Sequence, residues 1–156
     1  MLENEQLSTE QILEKYRDDA ALLMKYVPYL KKKLGEYKPQ LHKVEGEDNR
    51  NIMIPIFDST LLQMAEEVGN LQFMNENYAY VYKKYKMTDS NDELYQINKA
   101  GIQNMDLLWG ILSKYILKGR VKGLIWQEGV ANGVMLAAIQ KMNDIILFWT
   151  KEDKTL

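Results

Sequence analysis

Cysteine is absent from the 156 residues, which excludes disulfides and every thiolate ligand or nucleophile. Histidine occurs once, at His42, and a lone histidine excludes the di-iron carboxylate bundles and helical zinc sites that need two or more. Net charge is lacking too: 20 basic and 22 acidic residues nearly cancel. Without a net positive field, nucleic acid is not favoured as a partner. No long apolar run occurs. The most apolar stretch, Leu124 to Trp149, is interrupted by Gln127, Glu128, Asn132, Gln140, Lys141, Asn143 and Asp144. It falls short of the about 20 apolar residues that cross a bilayer, so it reads as a core helix and no membrane span is expected. Met1 to Glu10 carry acids and no apolar centre, the opposite of an export signal. A cytoplasmic location is the expectation. No GxGxxG, P-loop or nucleophile-elbow motif is present.

What is there is the material of one folded domain. Hydrophobic residues make up 46% and charged residues 27%, a balance that supports a single core over residues 1–156. Ser8 with Gln11 forms a capping box, and Ile12, Tyr16, Ala20, Leu23, Val27, Leu30 and Leu34 follow at helical spacing until Gly35. Pro28 deletes one backbone bond inside this stripe and predicts a kink or split near Tyr26. A long polar loop is expected over about 36–57, with Ile52, Met53, Ile54 and Ile56 tucked against the helices. Asp58 caps a second helix, stapled by Phe57 and Leu62, whose apolar positions run from Leu61 to Tyr85 with Gly69 as its weak point. Ser90 and Glu93 form another capping box for a third helix ending at Lys118, with Gly119 as a left-handed cap. A fourth runs from Leu124 to Trp149, and a frayed tail covers about 151–156.

The expected fold class is therefore all-α, an antiparallel up-down bundle of four long helices, the first split at Pro28 and the second at Gly69 as variants of that plan. The short links set this topology. Gly129 and Gly133 lie one turn apart on the last helix and allow close approach of a neighbour, within the chain or across a homodimer seam.

Up-down packing gathers Lys31, Lys32, Lys33, Lys114, Lys118, Arg120 and Lys122 at one end. Helix C-termini attract such cations, which is the plainer account of them, and a small-ligand or anion site is the sharper one. Three acids fall on or beside apolar stripes. Counted from that end, Glu128, Glu67 and Asp106 lie within about 10 Å of one level and could face a pocket with Trp109, Trp126 and Asn132.

The run Glu66-Glu67-Val68-Gly69-Asn70-Leu71 resembles the first motif of MazG-type nucleotide pyrophosphohydrolases, and Asn143 to Trp149 resembles their second. That resemblance implies a helical enzyme with clustered acids holding magnesium. Asn70 stands where an acid is expected, and no acid precedes Asp144 at the expected distance. The bundle also sets Asp144 roughly 15 Å below Glu67, so the chain is not assigned to that family.

Three functions follow as expectations. The first is a non-enzymatic module that binds itself or another protein, motivated by ten tyrosines, nine methionines and three tryptophans. The second is a Mg²⁺-dependent hydrolase of nucleotides or other phosphorylated small molecules, using Glu67, Asp106 and Glu128. The third is a ligand- or anion-binding bundle closed by the 36–57 loop, with Trp109, Trp126, Glu128, Asn132, Lys118, Arg120 and Lys122 around the ligand. No resident metal is predicted outside the second.

Overall fold

A computed structural model describes residues 8–38, 40–45 and 51–154, and for 40, 42, 44, 45, 51–55 and 151–154 it describes the backbone. The Ser8 hydroxyl accepts from the Gln11 amide (3.2 Å) and the Gln11 side chain accepts from the Ser8 amide (2.8 Å), so the predicted capping box opens α1, Thr9–Met24. A turn at Lys25 and Tyr26 separates it from α2, Val27–Lys32. Pro28 lies in the first turn of α2, where its missing N–H costs no helical bond. The expected break at Tyr26 is the observed one.

The stretch expected to be a loop instead holds an antiparallel hairpin. β1, Gln40–Glu45, pairs with β2, Asn51–Ile56, in a register running from Gln40↔Ile56 to Glu45↔Asn51. Asn51 to Ile56 alone looks like an apolar fragment and Gln40 to Glu45 like polar loop. Only their pairing makes strands of both, because backbone groups in an extended segment need a partner. Ile56 is 46% exposed, so it is not tucked away as predicted. The predicted packing of Ile52, Met53 and Ile54 lies outside the described side chains.

The remaining three predicted helices are each two. α3, Ser59–Gly69, stops at its glycine, and α4, Tyr78–Lys84, begins only after an irregular connection. Phe57 packs on Trp126 and Leu62 is exposed, so the predicted staple is absent. α5, Ser90–Lys99, is capped by Asp89, whose carboxylate accepts from the Asp92 amide at 2.9 Å. This overrides the predicted Ser90–Glu93 box. The chain then straightens at Ala100 and Gly101, makes one 3-10 turn at Ile102–Asn104 and enters α6, Met105–Val121. Gly119 is inside α6 and is no cap. Its missing side chain admits the indole of Trp126, which a Cβ there would overlap.

α7, Leu124–Ala131, and α8, Val134–Lys154, replace the fourth helix. Gly133, at φ +80°, turns the chain between them, and the Asn132 side chain accepts from the Val134 amide at 2.9 Å. A left-handed glycine after a helix is a strong stop. α8 runs to Lys154, and residues 155–156 of the tail expected over 151–156 lie outside those described.

The result is eight α-helices and a hairpin among the described residues, and not four long helices in an up-down bundle. α6 and α8 form the spine. α6 packs against α3, α4, α5, α7 and α8, while α8 also packs against α1, α2 and α5. Leu108, Ile111, Leu112, Ile116, Met135, Ile139 and Met142 are fully buried along the seam of these two helices, and α1 closes one side through Leu23. Among the described residues no helix is long and apolar enough to cross a membrane.

Candidate interaction surface and buried polar network

The three acids proposed for magnesium do not come together. Glu67, in the last turn of α3, pairs with Lys25 at 2.6 Å and accepts the Tyr26 hydroxyl. The Lys25 hydrogen bond, with that of Tyr26, holds its carboxyl below the usual range. Asp106, in the first turn of α6, pairs with Lys84 at 3.1 Å and accepts the Tyr85 hydroxyl at 3.0 Å. Glu128 is exposed on α7. It left the core stripe because α7 ends at Ala131, so the phase counted through a single long helix does not apply. No three histidine, aspartate or glutamate side chains gather as a metal site among the described residues.

The aromatic and basic candidates also separate. Trp109 is buried against Phe73 (5.5 Å between centroids), which in turn meets Tyr16 at 4.5 Å. Trp126 lies elsewhere, its Nε1–H donating to the Ile116 carbonyl at 2.9 Å and its ring edge-on to Phe57. Ile116 is seven residues beyond Trp109, so the two indoles sit about 10 Å apart along α6. The Arg120 guanidinium lies over Gly69 at the end of α3, while Lys33 is held at its start, 3.2 Å from Asp58. Lys118 and Lys122 are exposed. Lys114, predicted to join them, is turned toward the interior.

Its partner is Glu93, a residue the sequence assigned to a cap. Glu93 has no exposed surface. Its carboxylate accepts the hydroxyls of Tyr82 and, at 2.7 Å, Tyr115, and lies 3.3 Å from the Lys114 ammonium. Lys114 sits over both rings, 5.0 Å from the Tyr82 centroid and 4.7 Å from that of Tyr115. Asn132 donates to the Tyr115 hydroxyl at 3.2 Å, tying in the α7–α8 turn. Burial first, then Glu93, pushes both phenols well above the usual tyrosine range. Every member has a partner, so the cluster reads as a clamp joining α4, α5, α6 and the start of α8. Its signal in the sequence was Asp89 with Asp92, a cap one residue earlier than Ser90 that frees Glu93 to face inward.

The hairpin emerges at the opposite kind of surface. Its base is fixed: Gly35 donates to the Ala131 carbonyl at 2.9 Å, Gln127 to the Glu36 carbonyl at 3.0 Å, and Tyr29 to Asp58 at 2.9 Å. The Tyr29 hydrogen bond, then Lys33, lowers the Asp58 carboxyl below its ordinary value. The cleft enclosed there, between Tyr29, Asp58, Ile56 and Gln127, is about 50 Å³, room for water and not for an organic ligand. No family model, no curated protein and no solved structure matches the chain. Among the described residues the two strands lie chiefly against one another. Leu41 and Ile56 within the strands, and Leu34 and Tyr37 on the segment leading into β1, are four of the twelve exposed large hydrophobic residues among those described.

Proposed function

We propose that this chain is a self-associating interaction module that acts through its hairpin end, in preference to an enzyme or a ligand carrier. The observation behind this reading is a two-stranded sheet that, among the described residues, pairs with no third strand and carries exposed apolar side chains at Leu41 and Ile56. Two strands alone are marginal in water, and each open edge is a row of backbone donors and acceptors able to accept another strand. Leu41 and Ile56, 54% and 46% exposed, put apolar surface on the strands themselves. The hydrolase reading lacks its geometry, since Glu67 and Asp106 are committed to separate ion pairs. Size-exclusion chromatography with light scattering, run across micromolar concentrations, tests the proposal. A mass that rises toward two chains is expected, and a strict monomer throughout overturns it.

A further inference from the structure

We infer that two copies join by antiparallel pairing of β1 with β1 of the second copy, about a twofold axis at Val44, making one four-stranded sheet. The inference rests on the self-association reading above and specifies its seam. Of the two open edges, that of β2 contains Pro55, which has no N–H to offer a new strand. β1 has no proline. An isologous twofold contact between identical antiparallel strands must place one residue opposite its own copy, which leaves few registers.

Charge and hydrophobic pattern choose among them. Centring on Lys43 sets two lysines face to face, which is destabilising. Centring on His42 pairs Leu41 with Lys43 and Gln40 with Val44, without an ion pair. Centring on Leu41 pairs Gln40 with His42 on either side, without an ion pair. Centring on Val44 places Lys43 opposite Glu45 twice, once on each side of the axis. The hairpin register pairs Val44 with Ile52, and strand alternation puts positions 40, 42 and 44 on the same face as 52, 54 and 56. The Val44-centred sheet therefore carries an unbroken apolar row, Ile52, Val44, and the same two positions of the second copy. Lys43 is exposed and thus available to a partner.

The chain has no cysteine, so a single introduced one reports the seam without background. Directly opposed residues in an antiparallel pair have Cα atoms about 4.5–5.5 Å apart, within disulfide range. Val44→Cys in the full chain, oxidised gently, is expected to give a covalent dimer on a non-reducing gel, while Leu41→Cys is not. Lys43→Glu should weaken dimerisation several-fold, and adding Glu45→Lys should restore it, with circular dichroism unchanged in each variant. Strong cross-linking through His42→Cys or Leu41→Cys in place of Val44→Cys overturns the register. A dimer that persists unchanged in Lys43→Pro and forms no Val44→Cys cross-link overturns the β1 seam yet leaves self-association standing. A strict monomer overturns both.

Discussion

Single residues here carry costs that the surrounding fold outweighs. Lys86 has φ +56°, the left-handed conformation that closes α4: its amide donates to the Lys83 carbonyl (3.2 Å) and that of Met87 to the Tyr82 carbonyl (2.9 Å). A glycine normally stands at this position of such a turn. Lys86→Gly is expected to raise unfolding free energy by up to about 1 kcal/mol, read as a higher urea midpoint at unchanged slope. A lower midpoint would show that the lysine side chain outweighs the strain. Glu93 is the converse case, a charge tolerated in the interior only because three donors face it. Glu93→Ala strands two hydroxyls and an ammonium, and should cost about 3 kcal/mol or more. Glu93→Gln should cost less, since an amide still accepts from one tyrosine. Glu93's neighbours in sequence offer two competing readings. A carboxylate three places after a serine fits a capping box, and only the competing Asp89 cap decides that Glu93 turns inward.

At the scale of elements, breaks matter more than stripes. The periodic apolar pattern that joins residues 90–118, and that joining 124–149, persists across interruptions because helices on both sides pack on the same core. Gly101 and Gly133 sit inside those stripes and look like ordinary tolerated glycines. Gly133 is a stop because Asn132 caps the next helix and the Gly35 amide takes the Ala131 carbonyl that α7 leaves free. Gly133→Ala should therefore destabilise by about 1–2 kcal/mol, the cost of a Cβ in the left-handed region, measured by thermal or urea unfolding. Gly119 was legible as important but for the wrong reason. Its role is contact, and Gly119→Ala should push Trp126 off α6, shifting tryptophan emission to longer wavelength and costing about 1–3 kcal/mol. An unaltered spectrum would mean that the indole is not seated there. The hairpin was missed because strand formation is a pair property, and neither half alternates clearly without the other.

For the whole molecule, titration should destabilise from both sides of neutrality. Asp58, Glu67 and Asp92 have lowered carboxyl values, so their stabilisation is present above the ordinary carboxylate range and is lost as pH falls through the lowered values. Tyr82 and Tyr115 are shifted upward, so the folded state holds their protons more tightly than the unfolded chain. Their contribution is complete below pH 10.0, the unfolded tyrosine value, and is lost progressively above it. Urea midpoints across pH should fall on both limbs, and Tyr82→Phe should flatten the alkaline one; an unchanged alkaline limb would count against the buried Glu93 clamp. The sequence alone determined that this is a largely helical chain, where α1 begins, where Pro28 and Gly69 interrupt the helices, and that thiol chemistry is closed to it. Those properties depend on composition and on residues a few places apart. Tertiary structure decided the rest: that Glu67, Asp106 and Glu128 part company, that Glu93 becomes the buried charge, and that residues 40–56 pair as strands. Each of these depends on a partner distant in sequence, and hydrogen bonds and ion pairs between such partners leave no period for a sequence to display.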